Sequence, residues 1–87
     1  MSVILPPDVS TVDTEDGMVL LNQRTGRYWQ LNANGAQTLR RLLDGCTIEE
    51  IASGIAARHQ IAPDQVHNDI TRVIAQLQKA HLLEASR

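Results

Sequence analysis

The first third of the chain shows short apolar and β-branched runs broken by turn residues, and after position 32 apolar residues recur at three- and four-residue spacing, so the pattern divides into an extended part and a helical part. Residues 1–8 (MSVILPPD) read as extended, because Pro6-Pro7 forbids helix and donates no backbone N–H. Residues 9–14 (VSTVDT) are rich in β-branched side chains and predict a strand. Asp16-Gly17 is a turn dipeptide in which Gly17 is free to take positive φ. Residues 18–22 (MVLLN) predict a second strand, apolar on both faces at its centre, and Gln23-Arg24-Thr25-Gly26 a four-residue turn. Residues 27–31 (RYWQL) are the third strand. Two short connections in succession imply an antiparallel meander with the first and third strands at its edges.

The helical part predicts three helices. Asn32 or Asn34 caps the first, Leu39, Leu42 and Leu43 mark its buried stripe, and Asp44-Gly45 ends it. The second opens at Thr47, which has capping-box spacing to Glu50, with Cys46 and Ile51 at the positions of a hydrophobic staple. Ile48, Ile51, Ala52, Ile55 and Ala56 form its apolar face, and it ends near His59-Gln60. The third begins at Pro63, a residue suited to the first helical position, and runs for about 17 residues, about 25 Å. Asp64 and Asp69 lie toward its positive end and Lys79 at its negative end. Val66, Ile70, Val73, Ile74 and Leu77 make one continuous stripe, and Leu82-Leu83 are expected to fold back onto the core. The expected class is α+β: one winged helix-turn-helix-like domain over 1–87, with a three-stranded antiparallel sheet followed by three helices.

Composition narrows the functional classes. At 87 residues the chain buries only roughly 60–65% of its unfolded surface, which leaves no room for a deep internal active site. Apolar residues are 43% of the total, an ordinary globular value, but there is no Phe and only one Tyr and one Trp, so Leu, Ile, Val and Ala must build the core. The net charge of −2 disfavours a nucleic-acid partner. No signal-peptide pattern and no long apolar run is visible, so a cytoplasmic protein without a membrane partner is expected. One cysteine excludes an internal disulfide. No phosphate-binding glycine loop is present, and His59, His67, His81 and Cys46 match no zinc spacing, so neither cofactor nor metal nor catalysis is expected. Capping and the helix dipole account for Glu49-Glu50, and the staple accounts for Cys46.

Two binding devices remain. The third strand is an edge whose body, Tyr28-Trp29-Gln30-Leu31, carries no proline, lysine or bulge, with Arg27 only at its start. A guest strand can add there. The third helix, if its shoulder lies beside that strand, walls a groove with Val66, Ile70, Val73 and Leu77 and places Asp69 and Arg72 on the rim. Core packing is the first role for Leu31, Ile70, Val73, Ile74 and Leu77. It explains Val66, Asp69, Tyr28 and Gln30 less well, and Trp29 fits both roles.

Gly26-Arg27-Tyr28-Trp29-Gln30-Leu31-Asn32, then Gly35, Leu39, Leu42-Leu43-Asp44-Gly45 and Thr47-Ile48-Glu49-Glu50-Ile51-Ala52, resemble the PqqD-like peptide-chaperone family, the recognition elements of ribosomally made, post-translationally modified peptides. Val66, Asp69, Ile70, Val73, Leu77, Ala80 and Leu82-Leu83 extend the likeness to about residues 15–83. Within the family the chain is most similar to the stand-alone leader-binding proteins of lasso-peptide biosynthesis, the split N-terminal half of the maturation (B) protein. The resemblance implies a non-catalytic adaptor. Such an adaptor takes a precursor's leader peptide as an added strand and delivers it to a transglutaminase-like leader protease and a cyclase. It also implies contacts from Arg27, Tyr28, Trp29, Gln30 and Leu31 on the strand and Val66, Asp69, Ile70 and Val73 on the helix, with Asp69 facing a basic leader residue; Leu77 joins them as part of the apolar wall. His81 departs from the family, which usually has Gly after the last helix, so a left-handed cap there is harder to form.

Three other readings compete. The first is a peptide chaperone for a radical SAM enzyme. The second is a DNA-binding winged helix with Arg24 and Arg27 in its wing, although Asp64 and Asp69 would face phosphates badly and only Arg72 and Lys79 are cationic on the recognition helix. The third is a structural subunit that docks through the last helix.

Overall fold

The extended part folds as the expected meander. Strands β2 (Val9–Thr14), β3 (Gly17–Asn22) and β4 (Tyr28–Asn32) pair antiparallel in the order β2-β3-β4, and helices α1 (Ala33–Leu43), α2 (Ile48–His59) and α3 (Pro63–Lys79) follow. This computed structural model describes residues 2–86. The extended segment expected over 1–8 and the single domain expected over 1–87 include Met1 and Arg87, which lie outside that range.

The sheet has an inner and an outer face. Met18, Leu20 and Asn22 of β3 are buried opposite Leu31 and Trp29 of β4, whereas Leu21 and Tyr28, also paired, face solvent. Gly17 does not take the positive φ expected of a turn residue. It is the first residue of β3, opposite Asn32, and a Cβ there would run into the carbonyl oxygen of Leu31. The constraint is close approach of two strands, which turn statistics do not register.

Helix ends follow local chemistry. Asn32, not Asn34, caps α1, its side-chain oxygen accepting from the Gly35 N–H at 2.8 Å. Gly45 closes the same helix at φ 97°, where its N–H donates to the Leu42 carbonyl and that of Cys46 donates to Arg41, a Schellman motif. The Thr47–Glu50 capping box forms as predicted. The Thr47 backbone N–H and hydroxyl hold the Glu50 carboxyl below its ordinary value, so this contribution to stability is complete at neutral pH and is lost as the pH falls through the acid range. Ile51 is buried, and Cys46 packs half-buried against the same core.

Two features lay outside the sequence reading. Residues Ser2–Ile4 form β1 and Glu84–Ser86 form β5, and these pair antiparallel as a second, two-stranded sheet, with Val3 opposite Ala85. Three-residue strands carry too little periodicity to predict, and their partners lie at opposite ends of the described chain. The second feature is Asn22, the one polar side chain in the buried core among the described residues. Its oxygen accepts from the Arg24 and Thr25 N–H groups at 3.0 and 3.1 Å, and its amide donates to the His81 carbonyl at 3.0 Å. It therefore ties the β3–β4 turn to the end of α3. His81 does take the left-handed conformation, φ 61°, and the Leu82 N–H donates to the Leu77 carbonyl at 2.8 Å in a second Schellman motif. Leu82 and Leu83, 0% and 2% exposed, return to the core as expected.

Candidate functional site

β4 is an edge strand, and its register decides which of its backbone groups are free. The Asn22 N–H donates to the Arg27 carbonyl at 2.8 Å, so Asn22 and Arg27 form a hydrogen-bonded pair. Antiparallel ladders alternate, which directs the main-chain groups of Trp29 and Leu31 toward β3 and those of Tyr28 and Gln30 toward the open edge. The observed strand starts one residue later than predicted, with Arg27 just outside it and Asn32 added at its end.

A groove of about 330 Å³ runs beside this edge. α1 packs against β3 and β4, and α2 bridges α1 to α3, so α3 stands across from β4 and the N-terminal half of α1 lies between them. Leu31 of β4 lines one side and Val66, Asp69, Ile70, Val73, Ile74 and Leu77 of α3 the other. Asn34, Gly35 and Thr38 of α1 line the space between, and Ile61 and Gln65 line the end near the start of α3. Asp69 is the only ionisable side chain in the lining, and Arg72 stands 3.9 Å from it one helical turn on. The loose ion pair leaves the Asp69 carboxylate available at the rim.

The groove thus brings together Leu31, Val66, Asp69, Ile70, Val73 and Leu77. Arg27, Tyr28, Trp29 and Gln30 do not line it. Tyr28, 69% exposed, and Gln30 project from the outer face of the sheet, and Arg27 is exposed before the strand begins. Trp29 is half-buried on the inner face against the core. What Tyr28 and Gln30 offer an incoming strand is their backbone.

The roles expected from packing change at two positions. Val66, which packing explained less well, is 6% exposed and belongs to the core while also lining the groove. Val73, for which core packing came first, is 36% exposed. The apolar stripe of α3 is wider than the surface that α2 and the core cover, and Val73 sits on its uncovered shoulder. The α1 residues were missed because Asn34 and Thr38 carry no apolar signal. Their one legible cue was the glycine between them, Gly35, whose missing side chain keeps that part of the groove low. Among the described residues no three His, Cys, Asp or Glu side chains are placed to hold a metal ion, and no helix is long and apolar enough to cross a membrane.

The family model for coenzyme PQQ synthesis protein D (PqqD) matches residues 17–83. Three solved structures resemble the whole chain. A lasso peptide synthetase B1 complexed with the leader peptide superposes with a TM-score of 0.90 at 30% identity, covering 98% of this chain and 100% of the other. TbiB1 in complex with the TbiA(beta) leader peptide gives 0.83 at 29% identity, covering 100% and 99%. The PqqD truncation of Methylobacterium extorquens PqqCD, a functional and stand-alone recognition element for ribosomally synthesised and post-translationally modified peptides, gives 0.75 at 28% identity, covering 95% and 88%. No curated protein matches the chain significantly.

Proposed function

The chain belongs to the PqqD family, and from that premise we propose that it is a leader-peptide recognition element, which binds the leader of a ribosomally made precursor as a fourth strand on β4, against α3. The observation that carries the reading is the coincidence of an unpaired strand edge with an apolar groove holding a single charge. In this reading the backbone groups of Tyr28 and Gln30 hold the guest strand, each hydrogen bond contributing about 0.5–1.5 kcal/mol. Leu31, Val66, Ile70, Val73 and Leu77 receive its alternate apolar side chains, and Asp69 meets a basic one. Arg27 and Trp29 act at the strand's start and from beneath it.

The same reading makes residues 1–87 one non-catalytic domain, supported by a core cluster that draws on both sheets and all three helices. It serves a transglutaminase-like leader protease and a cyclase in lasso-peptide maturation, and it meets the ribosomal precursor in the cytoplasm. One relative that carries a leader peptide is a lasso peptide synthetase B1, and this favours that setting over service to a radical SAM enzyme.

A search of the neighbouring genes for a short precursor, followed by titration with a synthetic copy of its leader, tests the reading. Saturable binding with amide shifts concentrated at residues 28–32 and 66–77, and a change in emission from Trp29, is the expected result. Binding that leaves those amides unmoved, or no binding at micromolar leader, overturns it.

A further inference from the structure

A second cleft, of about 260 Å³, lies between α1 and α2. It is lined at one helical spacing by Asn34, Gln37, Thr38 and Arg41 of α1 and at the same spacing by Ile51, Gly54, Ile55 and Arg58 of α2. Resting on the function proposed above, we infer that this cleft is a second subsite for the same bound peptide, taking an acidic side chain that flanks the strand-forming residues.

Three observations converge. The first is continuity: Asn34, Thr38 and Ile55 line both this cleft and the groove beside β4, so a peptide leaving one enters the other. The second is charge. Arg41 and Arg58 line the cleft with no carboxylate beside them in its walls, and among the described residues neither forms an ion pair, a state they share with Arg27 but not with Arg24, Arg40 and Arg72. The helix dipole explains a cation in the last turn of each helix. It does not explain why both border one cleft in a chain whose net charge is negative. The third is Gly54. Glycine inside a helix is destabilising relative to alanine, and a Cβ at this position would meet nothing within 4 Å, so no packing within the chain requires it. Its absent side chain leaves the middle of the cleft open to a visitor. Neighbouring subsites of opposite sign, Asp69 in one and Arg41 with Arg58 in the other, would then set both the register and the direction of the bound peptide.

The probe is a nine-residue strand selected against the protein from a displayed random-peptide library, then synthesised with a Glu-Glu or a Gln-Gln extension at each end. We expect the Glu-extended peptide to bind about fivefold more tightly than the Gln-extended one at low salt, with the gain fading as salt rises. Arg41→Glu combined with Arg58→Glu removes that gain and leaves the Gln-extended peptide unaffected. Gly54→Leu, which fills the cleft without altering charge, lowers affinity for the Glu-extended peptide alone. Equal affinity of the two peptides for the unaltered protein, or equal weakening of both by the charge reversals, overturns the inference while the leader-binding reading stands. A library yielding no peptide that shifts the Tyr28 and Gln30 amides removes the leader-binding reading, and this inference with it.

Discussion

The three-stranded sheet has two open edges, and they are not alike. On β2 the alternation that frees Tyr28 and Gln30 across the sheet frees the backbone groups of Thr11 and Asp13 instead. Asp13 lies on the helix-facing side, where the Arg40 guanidinium donates to it at 2.6 Å. A guest strand there would set its side chains beside a solvated ion pair and would gain little beyond hydrogen bonds exchanged for water. On β4 the same face carries Trp29 and Leu31, and α3 stands opposite with an uncovered apolar shoulder. Apolar side chains buried in that groove add about 25 cal/mol per Å². An unpaired edge is common to many sheets. The edge that can hold a specific peptide is the one with an apolar wall beside it.

The contrast can be broken most directly at Val73. It is exposed enough that Val73→Asp leaves the fold intact, but the new carboxylate faces the guest's apolar anchor, and leader affinity should fall by about 2 kcal/mol, roughly 30-fold, in a calorimetric titration. Undiminished affinity in the folded variant would remove Val73 from the wall. Asn22→Ala should lower the free energy of unfolding by about 2 kcal/mol in urea. It deprives the part-buried His81 carbonyl and the Arg24 and Thr25 N–H groups of their partner, and it cuts the tie between the β3–β4 turn and the end of α3. Hydrogen exchange with and without leader should slow at Tyr28 and Gln30 and stay unchanged at Thr11 and Asp13, and equal slowing at both edges would dissolve the distinction. His81→Gly should raise stability by about 0.5–1 kcal/mol, since glycine adopts φ 61° without the steric penalty and keeps the carbonyl that Asn22 holds. The smallest effect belongs to the guarded edge. Asp13→Val should change stability by less than about 0.5 kcal/mol, leave leader affinity untouched, and appear as weak self-association in sedimentation at high concentration.

Much of this was legible along the chain, for local reasons. The capping box at Thr47, the turn at 23–26 and the long stripe of α3 are short-range features, and each element formed within a residue or two of its predicted bounds. The same stripe also misled. Val66 and Val73 are equally apolar and equally spaced, so periodicity could not tell the buried one from the one left uncovered.

The amino-acid sequence by itself determined the order and type of the main elements, the unprotected composition of the third strand of the meander and, through its family resemblance, the kind of guest to expect. Tertiary structure decided the rest. The pairing of Asn22 with Arg27 selects which backbone groups of β4 face outward. The packing of α2 between α1 and α3 holds α3 away from β4 and leaves a groove between them. The burial of Asn22 joins the sheet to the end of the last helix across 59 residues. Each of these depends on contacts between segments far apart in the chain, and the energies that choose among such contacts come from mutual burial, which no single segment encodes.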